Sequence, residues 1–272
     1  METQLIEKLE HSGEKKISLL KNFPAKYWLR AVMAGMYLTI VGFVYWSLLN
    51  NISDPATGKL LGSLFFGVGL TIIIFTNSEL FTSNNMYLVV SSLKGKTRWQ
   101  DTFHLWTACY LGNLLGSVII ALLLWGGDIL KVLPADHILY DYALNKARQP
   151  GSVIFIKGIM ANWIVCLAVF VAMGLKDEIA KMFSIILIVF IFLYLGFEHS
   201  IANMGTFSIS LAGNGSLTLQ DALYNLLFST PGNIVGGGLF VGMVYVYLNE
   251  EMAVQKKTER LQEAGKDSRA KL

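Results

Sequence analysis

The sequence predicts an all-α polytopic membrane protein with six transmembrane helices arranged as two similar halves of three. Three observations carry that expectation. Hydrophobic residues make up 54% of the 272 residues and charged ones only 15%, with a mean hydropathy of +0.51, whereas soluble domains carry about 25% charged residues. Six stretches with few or no charges approach the ~20 residues that a helix needs to cross a bilayer. The second and the fifth are each followed, across a polar interruption, by a shorter apolar piece. The same composition excludes a disordered chain. Cys109 and Cys166 each sit inside an apolar run, which supports neither a disulfide framework nor a zinc cage.

Residues 1–25 read as an amphipathic surface helix. The segment carries Glu2, Glu7, Lys8, Glu10, Glu14, Lys15 and Lys16 and lacks the apolar core of a signal peptide. Its apolar residues Leu5, Ile6, Leu9, Ile17 and Leu20 can line one face. The first span then covers Ala31–Leu49. The second covers Leu60–Asn77, breaks at Glu79-Leu80-Phe81-Thr82-Ser83-Asn84-Asn85-Met86, and resumes to Leu93. The third covers Phe103–Trp125 and the fourth Gly151–Leu175. The fifth covers Met182–Phe197, breaks at Glu198-His199-Ser200-Ile201-Ala202-Asn203-Met204, and resumes to Ala212. The sixth covers Leu223–Leu248. Residues 26–249 thus form the transmembrane domain and 250–272 a charged tail.

Basic residues set the orientation. Lys8, Lys15, Lys16, Lys21, Lys26 and Arg30 lie at the N-terminal end, and Lys256, Lys257, Arg260, Lys266, Arg269 and Lys271 at the C-terminal end. With an even number of spans, both termini are expected in the cytoplasm. The opposite side holds few cations, Lys146, Arg148 and Lys157 among them.

The halves resemble each other. Gly112-Asn113-Leu114-Leu115-Gly116 in the third span matches Gly232-Asn233-Ile234-Val235-Gly236 in the sixth, and Met33-Ala34-Gly35 in the first matches Met160-Ala161-Asn162 in the fourth. Three spans followed by three similar ones have opposite orientations, and paired interruptions in matching spans point to a site at the interface of the repeats. Glu79, Glu198 and His199 are the strongly ionisable groups deep within spans. Such groups are costly in a bilayer and mark function by default. The glutamates suit hydrogen bonds to the amides freed at each break. His199, on a break and beside a carboxylate, reads as functional.

These residues also carry a resemblance. Gly196-Phe197-Glu198-His199-Ser200-Ile201-Ala202-Asn203-Met204 resembles the fifth-helix signature of the formate/nitrite transporter family. Gly158-Ile159-Met160-Ala161-Asn162-Trp163-Ile164-Val165-Cys166-Leu167-Ala168 resembles its fourth-helix signature, and Glu79-Leu80-Phe81-Thr82 its second-helix loop. The resemblance implies an aquaporin-like protomer, a homopentamer with one pore per protomer, and a place in the plasma membrane of a prokaryotic cell. Carried over by position, it makes His199 the central histidine and Thr82 the loop threonine. It gives one hydrophobic constriction to Leu70 and Phe192 with Phe66 nearby, and the other to Leu80, Phe81 and Val165. Lys146 becomes the vestibule lysine, Asn162 and Asn203 brace the central site, and Glu198 positions the loop.

The function so implied is transport of a small monovalent anion or its weak acid, formate first, nitrite next and hydrosulfide third. Lys146, helped by Arg148 and Lys157, would concentrate the anion at the outer mouth. A proton from His199, or from water relayed through it, would neutralise the anion, because a bare charge crosses apolar constrictions only at high cost. No cofactor, metal or nucleic-acid partner is expected; the partners are the bilayer, further copies of the chain and the substrate. An enzyme is not supported, since neither a His-Glu-x-x-His pair nor a Gly-x-Ser-x-Gly elbow is present.

Overall fold

The computed structural model describes residues 2–249. The charged tail expected over 250–272, with its six basic residues, lies outside the described residues. Within them the chain is helical: α1 Glu2–Asn22, α2 Pro24–Asn51, α3 Pro55–Phe75, α4 Phe81–Leu93, α5 Trp99–Gly126, α6 Ile138–Ala147, α7 Gly151–Gly174, α8 Glu178–Tyr194, α9 Ser200–Ala212 and α10 Leu219–Ile234. The last helix continues without a break as a wider π-type coil over Val235–Met243. Local chemistry sets many of these starts. Pro24 and Pro55 occupy the first turns of α2 and α3, where a missing N–H costs nothing. Asp54 and Asp177 cap α3 and α8, and Thr218 with Asp221 forms a capping box on α10.

Among the described residues, five helices are long and apolar enough to cross a membrane: α2, α3, α5, α7 and the continuous helix Leu219–Asn249. The fifth apolar run forms α8, whose 17 residues extend about 25 Å, short of a ~30 Å hydrocarbon core. The 13 residues of α4 and of α9 extend about 20 Å each. Large apolar side chains such as Leu122, Leu123, Phe183 and Leu227 face outward, the arrangement of a bilayer-immersed surface rather than a water-facing one.

Two helix pairs form the walls, α2 against α5 and α7 against α10. Glycines permit both crossings. A Cβ on Gly116 would strike the carbonyl oxygen of Val32, and one on Gly236 the carbonyl oxygen of Ile159. These are matching members of the two Gly-Asn-x-x-Gly repeats. Between the walls run α3–α4 and α8–α9. α1 packs beneath α4, burying Leu5, Ile6, Leu9, Ile17 and Leu20.

α6 lies between the third and fourth apolar runs, a stretch for which the sequence predicts no span. Its ten residues are too few and too mixed in polarity to announce themselves by period. The buried His137 caps it, its Nδ1 accepting from the Leu139 amide at 3.2 Å. Burial holds the His137 imidazolium below the usual histidine range, against an opposing pull from Asp136. The Tyr140 phenol of α6 accepts from the Asn214 amide, tying α6 to the loop after α9.

Candidate functional site

The site lies where two chain breaks meet. α3 ends in a left-handed turn at Asn77 (φ 52°) and α8 in one at Gly196 (φ 71°). Glycine adopts that region freely, and asparagine is among the few other residues that tolerate it. Ser78 N–H closes back on the Ile73 carbonyl and Phe197 N–H on the Phe192 carbonyl. The following residues then turn to the walls: Glu79 N–H donates to Arg30 O (3.1 Å) and Glu198 N–H to Lys157 O (3.3 Å).

Two asparagines hold the breaks shut. The Asn113 amide donates to the carbonyls of Ala31 (2.7 Å) and Glu79 (2.9 Å), while its Oδ1 accepts from Phe81 N–H (3.0 Å). The Asn233 amide donates to the carbonyls of Gly158 and Glu198 (2.8 Å each), and its Oδ1 accepts from Ser200 N–H (2.8 Å). Backbone freed at each break is thereby paired in a region that water does not satisfy.

Each carboxylate has its own lysine and is also held by asparagine, one for Glu79 and two for Glu198. Asn84 donates to Glu79 (3.0 Å), and Asn203 and Asn225 donate to Glu198 (2.7 and 3.2 Å). Lys16 of α1 pairs with Glu79 at 2.7 Å, and Lys146 of α6 pairs with Glu198 at 2.8 Å. Two mouths result. The α6 mouth is a cavity of about 30 Å³ lined by Lys146, Asn203, Thr206, Phe66 and Phe192, with His199 at its floor; a cavity of that size admits one or two water-sized molecules. The α1 mouth is a wider cleft of about 290 Å³ lined by Lys15, Lys16, Arg30, Glu79 and Ser83.

Between the mouths, His199 Nε2 and Thr82 Oγ1 lie 2.9 Å apart, both residues buried. His199 Nδ1 accepts from the Ala202 amide at 3.1 Å, capping α9. With Nδ1 engaged as an acceptor, a neutral imidazole carries its hydrogen on Nε2 and donates it to Thr82. The threonine keeps its own hydroxyl hydrogen to offer. Asn162 donates to the carbonyls of Thr82 (3.0 Å) and Asn233 (2.6 Å), joining the two breaks. α4 and α9 both begin here, so two positive helix ends face the centre.

Aromatic packing closes the α6 side: Phe66 and Phe192 meet edge-to-face at 6.0 Å, and Phe192 stacks on His199 at 5.6 Å. Leu70, Leu80 and Val165 are buried, and the Phe81 ring rests against Tyr110 and Trp106 of α5. Arg148 is not part of the cavity lining; it is held in a two-point pair with Asp221 at 3.0 and 3.2 Å. Lys157 donates to Gln149 (2.6 Å), which in turn donates to Glu198 (3.3 Å). Among the described residues, no group of three or more His, Cys, Asp or Glu could hold a metal ion.

Sequence reading left Lys16, Asn113 and Asn233 without roles. Lys16 sits seven residues after Leu9, on the buried stripe of α1, and a charge on such a stripe was the available signal. The asparagines were visible only as repeat members, because their partners are backbone groups far away in the chain.

The formate/nitrite transporter family model matches residues 3–247. The nitrite transporter NirC of Escherichia coli (strain K12) is 37% identical over 251 residues, covering 91% of this chain and 92% of that protein. A solved FNT family ion channel superposes with a TM-score of 0.86 at 36% identity, covering 90% of this chain and 99% of that one. A pentameric formate channel with formate bound superposes with a TM-score of 0.72 at 31% identity, covering 84% and 99%. The match runs through both breaks and both walls, and the chain belongs to the formate/nitrite transporter family.

Proposed function

We infer that the protein is a channel for a small monovalent oxyanion that crosses its centre as the neutral acid. The observation that carries this reading is the His199–Thr82 pair set between two Lys–Glu mouths of the same design. In this reading α3–α4 and α8–α9 are the broken second and fifth spans of a six-span inverted repeat. The protomer assembles as a homopentamer in the plasma membrane; the solved formate channel that it resembles is pentameric. The N-terminal helix and its mouth face the cytoplasm, and the α6 mouth faces out.

The steps follow from the residues. Lys146 draws the anion into the outer cavity by its charge. Phe66 and Phe192 strip its water and raise its affinity for a proton, since a buried anion is disfavoured. The Thr82 hydroxyl, fixed by His199, and the N-terminal ends of α4 and α9 hold the anion while a proton arrives from water at the mouth. The neutral acid then passes Leu80 and Phe81 and ionises beside Lys16. Asn162 and Asn203 keep the two breaks in register, and Glu198 holds Lys146. Lys157 supports Glu198 through Gln149.

Formate and nitrite both fit these steps. The sequence ranks formate first; the higher identity to the nitrite transporter, 37% against 31% for the formate channel, favours nitrite. Flux into proteoliposomes of formate, nitrite and hydrosulfide, each at two pH values, tests the reading. Uptake of formate or nitrite that rises on acidification, with the rate at both pH values lowered in His199→Asn, is expected. No uptake of any of the three contradicts it.

A further inference from the structure

Threonines inside helices usually turn their hydroxyl back onto the carbonyl four residues earlier. Thr39, Thr71, Thr76 and Thr107 do so here, donating to Gly35, Gly67, Ile72 and Phe103. Thr206 of α9 does not. Its Oγ1 instead accepts a hydrogen bond from Trp46 Nε1 at 3.2 Å. The indole nitrogen is a donor only, so the threonine must be the acceptor in this pair. Among the described residues no protein group takes up the Thr206 hydroxyl hydrogen. That hydrogen is available to the α6-side cavity, which Thr206 lines together with Lys146 and His199.

We propose that Thr206 is a specificity-determining hydrogen-bond donor, which selects small oxyanions over softer anions such as hydrosulfide before they reach the Phe66–Phe192 constriction. The proposal rests on the channel reading above. An oxyanion concentrates its charge on oxygen lone pairs that accept short, directional bonds from a hydroxyl. Sulfur is a weak acceptor, so the same hydroxyl gives hydrosulfide little. Lys146 attracts any monovalent anion, whereas the oriented hydroxyl distinguishes among them. Trp46 fixes that orientation, and its ring is itself held at 4.7 Å from Tyr142 of α6. At the α1 mouth the Tyr87 hydroxyl points instead at the Met173 sulfur (3.5 Å).

The test compares nitrite, formate and hydrosulfide uptake into proteoliposomes at sub-saturating concentration for the wild type, Thr206→Val and Thr206→Ser. Valine keeps the shape and removes the hydroxyl; serine keeps the hydroxyl. The expected result is a nitrite-to-hydrosulfide and formate-to-hydrosulfide uptake ratio about fivefold lower in the valine variant, with the serine variant retaining the wild-type ratio. Hydrosulfide uptake reports that the valine variant is folded. An unchanged ratio in Thr206→Val, a loss shared equally by all three anions, or a serine variant shifted as far as valine overturns the proposal while leaving the channel intact. A wild type that carries none of the three overturns the channel reading and this proposal with it.

Discussion

Asn113 and Asn233 each spend a whole side chain on closing a break, two bonds given and one received. Asn233→Leu takes away the partner of the Glu198 carbonyl and of the Ser200 amide at the break, at about 1–3 kcal/mol for each buried group. The expected outcome is a variant that loses most of its folded yield, or melts well below the wild type in a detergent thermal-unfolding assay; an unchanged midpoint contradicts the role. In the proposed function the lysines act on the anion instead. Lys146→Gln is expected to raise the half-saturating anion concentration severalfold, and to remove much of the salt dependence of uptake, measured as initial rates over a concentration series. At this scale the sequence was partly legible. His199 and Glu198 stood out because ionisable groups deep in apolar runs are costly. Lys16 did not, because it looked like one more cation in a charged segment until α1 placed it against Glu79.

Whole helices were easier to read than single contacts. Apolar runs located α2, α3, α5, α7 and the continuous helix Leu219–Asn249, though α2 starts at Pro24, ahead of the run that begins at Ala31, and polar interruptions located the starts of α4 and α9. α6 escaped because ten residues of mixed polarity carry no bilayer-length signal. Its N-terminal cap makes it responsive to acid. Burial lowers the His137 proton affinity in the folded chain, so the neutral form is the one that folding favours. The stability this lends is present above the ordinary histidine pKa of about 6.5 and is lost as the pH falls towards the lower folded value. Protonation also removes the Nδ1 lone pair that caps Leu139. Hydrogen exchange at Leu139–Ala143 is therefore expected to speed up between about pH 7 and about pH 5. In His137→Asn, which can still cap, the protection should not vary with pH beyond the intrinsic rate. Equal pH dependence in both proteins refutes the cap argument. At the crossings, Gly236→Leu is expected to part α7 from α10, since the new side chain meets the Ile159 carbonyl, and to abolish folded protein by size-exclusion profile.

For the whole molecule, each of the two chain breaks carries the same devices: a left-handed turn, an asparagine clasp, a carboxylate and a lysine. The arrangement leaves the middle with neutral hydrogen-bond donors and apolar walls, and both ends with cations. Composition and the polar interruptions made the helical membrane class and the positions of the two breaks readable in advance, whereas no single sequence reports how its copies assemble or which anion they carry. Both depend on surfaces and small cavities built from residues distant in the chain. In the proposed function the anion crosses as its neutral acid, aided by the His199–Thr82 pair. The direct measurement is simultaneous recording of nitrite or formate uptake and internal pH in proteoliposomes with the membrane potential clamped. One proton entering with each anion, at a rate indifferent to the clamped potential, is the predicted result. Uptake that follows the potential and leaves internal pH unchanged would contradict it.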